Sequence, residues 1–362
     1  MKICFFNSNK AWGGGEQWHS ETAIFMASQN VEVVVVAAKN SKLATKISQT
    51  PNIKLFQHTI SKLSFLNPIK INRLKNLFQK MQPDIVVLNL PADAKAAGMA
   101  AKLANIKHIV YRRGSAIAIK NSFINRFLFS KIITNILCNS YSTAQTILFN
   151  NKNLFPAEKI KVIYNGTNIS SGNSQLNKSE TFVIGNAGRL EKQKAQHYLI
   201  ELAVLLKEKN IDFKILIAGE GRLKEELQNY AKEKNVSKNI EFLGFVNNLS
   251  EFFQQINVFV LTSLWEGFGY VLAEAAANKI PSIAFNLSSN PELIEDNKTG
   301  FLIPPFQVAA MAEKITMLAK NKLLCKQLGE NAFERASQLF NKELNNKTLF
   351  NYFYHILSEK NS

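Results

Sequence analysis

The chain has 362 residues, with 44 Lys+Arg against 27 Asp+Glu and a formal net charge of +17. Its 46% hydrophobic and 20% charged content excludes wholesale disorder, and its length suits two domains. Three widely spaced cysteines exclude a disulfide framework and a four-cysteine zinc site, and no stretch approaches the roughly 18 uncharged apolar residues of a spanning helix.

The first segment, Lys2–Asn7 (KICFFN), predicts a buried strand, followed by a Gly-rich turn and a helical pattern over Glu16–Gln29. Val31–Ala38 predicts a second strand and Asp84–Leu90 another, after the breaker Pro83. Ala92–Ala104 then reads as a helix. Lys107–Tyr111, Ile133–Asn139 and Lys161–Tyr164 continue the strand series. Asn168–Ser179 (NISSGNSQLNKS) is a polar Ser/Asn/Gly linker. The pattern then restarts with strands at Thr181–Ala187, Phe213–Ala218, Ile240–Leu243, Val258–Leu261 and Ile280–Phe285. Helices are predicted at Lys194–Lys209, Arg222–Glu233 and Tyr270–Asn278, with further helices to the end. Alternating strands and helices predict two doubly wound, Rossmann-like α/β domains with parallel sheets. Ligands of such sheets bind at the carboxyl ends of the strands, so a site is expected in a cleft between two facing domains.

Three segments carry chemistry. Trp12-Gly13-Gly14-Gly15-Glu16 follows the first strand and opens a helix. Consecutive glycines admit a close backbone approach, and the helix N-terminus offers N–H groups to an anion. The same residues would also serve a tight turn, and the G-x-G-x-x-G dinucleotide pattern is not met. The second segment is Gly188–Lys194 (GRLEKQK), in which Arg189 and Lys194 flank a short loop after a strand. Two cations there suit a pyrophosphate whose charge grows as a bond breaks, whereas Lys192 reads as a solvated surface residue. The third is Ser263–Glu274 (SLWEGFGYVLAE). Glu266 lies in a glycine turn and Glu274 one turn inside the next helix. Carboxylates at these places can accept hydrogen bonds from sugar hydroxyls, and the turn N–H groups suit a phosphate. An ordinary acidic helix start, with Trp265 and Phe268 as core residues, fits the same letters.

The E-x7-E of Glu266 and Glu274, with EGFGYVLAEA inside it, resembles the signature of family 4 retaining glycosyltransferases of GT-B fold. VIYNGTN (Val162–Asn168), GNAGRLEKQK (Gly185–Lys194), IAGEGRLKEELQ (Ile217–Gln228), FLGFV (Phe242–Val246) and PELIEDNKTGFLIPP (Pro291–Pro305) are similar to family segments in the same order. The likeness is strong from residue 160 to 305 and weaker before it.

The resemblance implies a donor site in which Glu274 holds the ribose hydroxyls and Glu266 contacts the transferred sugar. Arg189 and Lys194 would neutralise the leaving nucleoside diphosphate. Gly14 and Gly15 would admit donor phosphates or sugar. Backbone groups of Phe268, Gly269, Tyr270 and Val271 would bind phosphate and sugar, with Phe245 near the base. It also implies an acceptor-binding domain over 1–169 and a donor-binding domain over 170–340, with a C-terminal helix over 341–362 packing back on the first. Many family members carry a histidine near the acceptor where this chain reads Tyr111-Arg112-Arg113-Gly114-Ser115. Arg112 or Arg113 would there bind an acidic or phosphorylated group, or else anchor a loop. The chain has only four aspartates, Asp84, Asp93, Asp212 and Asp296, so no D-x-D metal motif exists. No metal and no cofactor beyond the nucleotide-sugar co-substrate are expected.

The charge is unevenly placed. Residues 1–170 carry 22 Lys+Arg and 6 Asp+Glu, whereas 171–362 carry 22 and 21. A lysine-rich compositional bias would have coloured both halves alike. Two stretches in the basic half, Phe65–Met81 and Ala116–Leu137, mix Ile, Phe and Leu with Lys and Arg. Either reads as a core helix with a solvated edge or as a surface for anionic lipid. The N-terminus turns polar too soon for a signal peptide.

These observations predict a glycosyltransferase of lipopolysaccharide or surface polysaccharide synthesis. It would be cytoplasmic and peripheral on the inner face of the cytoplasmic membrane. Its donor would be a UDP-sugar in preference to GDP- or ADP-sugars, and its acceptor a glycan or lipid-linked saccharide. Two other readings compete: a nucleotide-sugar 2-epimerase of the same architecture, disfavoured by the Glu266/Glu274 spacing, and a basic nucleic-acid-binding protein. The second lacks a recognised motif, so no nucleic-acid partner is expected.

Overall fold

The computed structural model describes residues 1–169 and 180–358, so most of the expected linker Asn168–Ser179 lies outside the described residues. The chain divides into two compact units, Met1–Asn165 with Leu344–Ser362, and Gly166–Glu343.

In the first unit the strands are β1 (Lys2–Asn7), β2 (Glu32–Ala37), β3 (Ile53–Gln57), β4 (Ile85–Leu88), β5 (His108–Arg113), β6 (Asn135–Cys138) and β7 (Ile160–Val162). The helices between them are α1 (Gly14–Ser28), α2 (Lys42–Ser48), α3 (Pro68–Met81), α4 (Pro91–Leu103), α5 (Phe123–Lys131) and α6 (Tyr141–Leu148). The strands form one parallel sheet in the order β3-β2-β1-β4-β5-β6-β7. Side chains alternate across it. Cys4, Phe6, Val34 and Val36 pack on one face with Leu74 and Phe78 of α3, while Ile3, Phe5, Val33 and Val35 pack on the other with Met26 and Leu43. Burial on both faces is why these strands read as unbroken apolar runs.

The second unit holds β8 (Phe182–Ala187), β9 (Phe213–Ala218), β10 (Ile240–Gly244), β11 (Val258–Leu261), β12 (Ser282–Phe285) and β13 (Gly300–Ile303). Its helices are α7 (His197–Glu208), α8 (Lys224–Glu233), α9 (Leu249–Gln254), α10 (Tyr270–Ala277), α11 (Asn290–Leu293), α12 (Val308–Lys320) and α13 (Lys322–Leu339). These strands are also all parallel, in the order β10-β9-β8-β11-β12-β13. The final helix, α14 (Lys342–Ser358), buries Leu349, Phe353 and Ile356 in the core of the first unit, beside Ile3, Phe5 and Val35.

Three sequence expectations need correction. The chain after Phe285 is not purely helical, because β13 pairs with β12 through Ser282–Phe285 and Gly300–Ile303. Strand β3, unread in the sequence, pairs with β2. Helix α7 begins at His197 rather than Lys194, because Lys192–Lys194 make a 3-10 turn and Ala195 takes a left-handed φ of 47°. Of the two basic stretches, α3 turns an apolar stripe inward through Ile71, Leu74, Phe78 and Met81. Asn67 caps its start by accepting a hydrogen bond from the Lys70 N–H, with Pro68 in the first turn.

In each sheet the strand order reverses once, at β1/β4 and at β8/β11. Loops leaving adjacent strands there diverge to opposite faces and open a crevice at the carboxyl edge. The glycine segment follows β1, Asn89-Leu90 follows β4, Gly188–Lys194 follows β8 and Thr262–Gly269 follows β11.

Candidate active site

In the second unit the loops after β8, β9, β10 and β11 are laced together by close backbone approach. A Cβ at Gly219 would overlap the Gly188 carbonyl oxygen, and one at Gly221 would overlap that of Leu190. The Leu190 N–H donates to Glu220 O (2.9 Å), and the Gly219 N–H donates to Gly244 O (2.6 Å). Only glycine allows these contacts without moving main chain.

The β8 and β11 loops meet through side chains. Lys194 Nζ lies 2.5 Å from Glu266 Oε1, with the two side chains 14% and 9% exposed. Thr262 Oγ1 donates to Lys194 O (2.9 Å), the Leu264 N–H donates to Gln193 O (2.8 Å), and Gln193 Nε2 donates to Trp265 O (2.8 Å). Buried Ser289, after β12, donates its hydroxyl to Phe268 O at 3.0 Å and Glu266 O at 3.3 Å. The turn holding Glu266 is thus fixed from both sides.

Gly269 takes a left-handed φ of 87° and starts α10 without a side-chain cap. Phe268 is buried against Tyr270 and Phe340, so its side chain belongs to the core. Glu274 is half-buried on α10, and Arg189 is exposed, with Nη2 donating to Gln193 Oε1 (3.4 Å). Phe245 directly follows β10 and is 68% exposed. Lys194, Glu266, Gly269 and Arg189 therefore stand on loops that hydrogen bonds tie together. Gln193, Thr262 and Ser289 were not picked out from the sequence; their polar groups act through backbone contacts that leave no spacing signature.

In the first unit, loops after β1, β4 and β5 enclose a cavity of about 460 Å3. Gly15 lies against Asn89, whose Nδ2 would be 2.8 Å from a Cβ at that position. Buried Glu16 accepts hydrogen bonds from Asn7 Nδ2 (3.1 Å) and Asn89 Nδ2 (3.5 Å). Arg112 is only 3% exposed. Its Nη1 donates to Asn89 Oδ1 (3.4 Å), its Nη2 donates to Asn165 Oδ1 (3.2 Å), and its Cζ lies 4.9 Å over the Trp18 ring. Arg113 donates from Nη2 to Ile117 O. Gly14 is the first residue of α1.

Two titratable groups here are strongly perturbed. Asp93 accepts from the Ser8 hydroxyl, the Ser8 N–H and the Leu90 N–H, tying the β1 loop to the β4 loop. Burial pushes its carboxyl up to about 7; the Ser8 and Leu90 hydrogen bonds oppose that shift, and the Glu16 charge adds to it. His19 is fully buried between Phe5 and Trp18, and burial, reinforced by the Arg112 charge, holds it well below its usual range. Among the described residues no three His, Cys, Asp or Glu side chains gather as metal ligands. None of the described helices is long and apolar enough to cross a membrane.

Residues 12–171 match the profile of Glycosyltransferase Family 4, and residues 170–335 match that of Glycosyl transferases group 1. The chain is 31% identical over 298 residues to an uncharacterized glycosyltransferase of Methanocaldococcus jannaschii, covering 80% of this chain and 79% of that one. It is 30% identical over 192 residues to the poly(ribitol-phosphate) alpha-N-acetylglucosaminyltransferase of Staphylococcus aureus, covering 53% of this chain. The chain spans 38% of that relative's length and 42% of that of another curated relative. In fold it matches Anabaena HepE solved in complex with UDP and with UDP-glucose. The TM-scores are 0.84 and 0.83 at 21% identity, over 98% of this chain and 100% of that one. The chain belongs to the family 4, group 1 glycosyltransferases and has their GT-B fold.

Proposed function

We propose that the protein is a retaining, metal-independent glycosyltransferase that moves a sugar from a nucleotide-sugar to a glycan or lipid-linked acceptor of a surface polysaccharide. The observation that carries this reading is the Lys194–Glu266 pair at the β8/β11 switch point, beside the glycine start of α10.

In this reading the diphosphate lies at the α10 start, where backbone N–H groups favour an anion. Lys194 and Arg189 neutralise the charge that grows on the β-phosphate as its bond to the anomeric carbon breaks. An ammonium has three donors, so its contact with Glu266 orients Lys194 while leaving capacity for phosphate oxygens. Glu266 meets the sugar and Glu274 the ribose, and Phe245 flanks the base. The acceptor hydroxyl attacks from the leaving-group face and its proton passes to the departing phosphate. No carboxylate pair for a divalent ion is needed, in keeping with the four isolated aspartates.

A UDP-sugar donor is supported by the UDP and UDP-glucose complexes of the Anabaena neighbour. A surface-polymer acceptor is supported by the poly(ribitol-phosphate) substrate in the name of the Staphylococcus relative. The acceptor side is the first unit, with Arg112 and Arg113 at its cavity. Peripheral attachment to the inner face of the cytoplasmic membrane is supported by Phe123, Ile124 and Phe127 of α5, which are exposed among Lys120, Arg126 and Lys131. Thermal shift with UDP-, GDP- and ADP-sugars tests the donor: UDP-sugars should raise Tm most. Release of UDP by wild type, retained in full by both Lys194→Ala and Glu274→Ala, would overturn the site assignment.

A further inference from the structure

The segment of residues 8–15, which carries the glycines after β1, contains no buried residue. Trp12 packs half-buried against the core, and polar contacts hold the remainder. At the start of the segment, Ser8 is bound twice by one carboxylate. Its hydroxyl donates to Asp93 Oδ1, and its N–H donates to Asp93 Oδ2 at 3.2 Å. The Leu90 N–H donates to the same Oδ2 at 3.2 Å, which fixes the carboxylate against the β4–α4 corner. Onward from Ser8 the hold is local: the Asn9 N–H donates to Asn7 Oδ1 (3.0 Å) and the Ala11 N–H to Asn9 Oδ1 (3.3 Å). Two bonds from one residue to two oxygens of one carboxylate fix both the place and the rotation of the first peptide of the loop.

Packing does not account for Asp93. The rest of the buried face of α4 is Ala94, Ala96, Ala97, Gly98, Ala100 and Ala101. Among the described residues only three carboxylates are buried, Glu16, Asp93 and Glu266. Glu266 lies in the turn after β11, and the other two stand at the two ends of the β1 loop. Burial pushes the Asp93 carboxyl up to about 7, so near neutral pH the fold carries a charge that weakens it. Local departures of this kind concentrate at functional sites. Asp93 does not line the first-unit cavity, whereas its neighbours Pro91, Ala94 and Lys95 do, so its effect on a ligand is indirect.

We propose that Asp93 is a positioning residue for the transfer reaction, setting the place of Gly13, Gly14 and Gly15 through its hold on Ser8. The inference rests on the glycosyltransferase reading, in which the glycine loop meets a substrate.

The test measures UDP release from the UDP-sugar that raises Tm most, expressed per UDP-binding site, together with amide hydrogen exchange across residues 9–15. Ser8→Ala keeps the Ser8 N–H bond and loses the hydroxyl bond to a charged acceptor. Its kcat should fall by ~10-fold or more and exchange across the loop should quicken by ~10-fold, with UDP affinity within ~2-fold of wild type. Ser8→Thr keeps a hydroxyl and should return kcat to within ~3-fold of wild type. Asp93→Asn should also lower kcat, and combining it with Ser8→Ala should be no slower than the slower single variant, because both act on one contact. A loss of stability alone would reduce the number of UDP sites rather than kcat per site, and Ser8→Thr would not reverse it. Unchanged kcat in Ser8→Ala, a loss that Ser8→Thr does not recover, or unchanged exchange across the loop overturns the proposal. Absence of UDP release by wild type from every UDP-sugar overturns instead the glycosyltransferase reading beneath it.

Discussion

Splitting the Lys194–Glu266 pair gives the sharpest test of the donor site. The two side chains are 14% and 9% exposed and their charged atoms lie 2.5 Å apart. Lys194→Met leaves the Glu266 carboxylate in its fixed turn without its cation, and Glu266→Gln leaves the ammonium without its anion. Orphaning one member of a buried pair costs about 3 kcal/mol, the low end of the usual range, because neither group here is fully enclosed. For a unit of this size that is a fall of ~6–12 °C in Tm. The double variant leaves no orphaned charge, so it should cost no more than either single variant, giving a coupling of about 3 kcal/mol or more. Activity should behave differently. Lys194→Met should reduce turnover of the nucleotide-sugar by ~10^2–10^3-fold, and the double variant should not recover it, because the lost cation served the leaving group. Denaturant melts and UDP release measured on the same four proteins decide it. Stabilities additive to within ~0.5 kcal/mol would refute the structural coupling, and a double variant as active as wild type would refute the role of Lys194.

Three further outcomes are expected. Gly219→Ala drives a Cβ into the Gly188 carbonyl, so it should cost about 2–3 kcal/mol and abolish the Tm rise on UDP binding; a wild-type Tm response would contradict the packing of those loops. Asp93 has its folded pKa raised to about 7 from an ordinary 3.8, so the stability it lends is present at low pH and is lost as pH rises through 7. Asp93→Asn should flatten the fall of Tm between its ordinary pKa of 3.8 and the folded value of about 7, and an unchanged slope in that window would show that Asp93 is not the titrating group. His19 has its pKa depressed below 6.5, so the fold keeps it neutral and stability falls as pH drops below that value. His19→Phe, which keeps the ring packing against Phe5 and Trp18, should remove this acid-side loss; an identical acid melt in both proteins would refute the assignment.

Much of the fold was legible in the residue order. Strands β1, β9 and β11 begin and end where the apolar runs Lys2–Asn7, Phe213–Ala218 and Val258–Leu261 do. Each lies inside a sheet covered on both faces, and that burial demands an unbroken apolar run. The two strands that were missed, β3 and β13, are both at sheet edges. β3 has only half-buried and exposed residues, and β13 opens on Gly300 and runs into Pro304-Pro305, breakers that mark a turn rather than a strand. The helix boundary at His197 was hidden for a related reason, since the left-handed Ala195 carries no glycine to mark it.

Sequence by itself determined the chemical inventory: alternating α/β elements, the glycine turns, Lys194 and Arg189 after one strand, and Glu266 and Glu274 around another. These are local properties, set by backbone sterics and by the period of burial. Tertiary structure alone decided which of those groups meet. Lys194 and Glu266 are 72 residues apart, and they touch because β8 and β11 are neighbours at the reversal of the strand order. It also separated Arg112 from Arg113. Adjacent on one strand, they point to opposite faces, one into the Asn89–Asn165–Trp18 cluster and the other toward Tyr111 and Ile117. Such contacts depend on strand order and loop closure over long separations, which no local pattern of residues encodes.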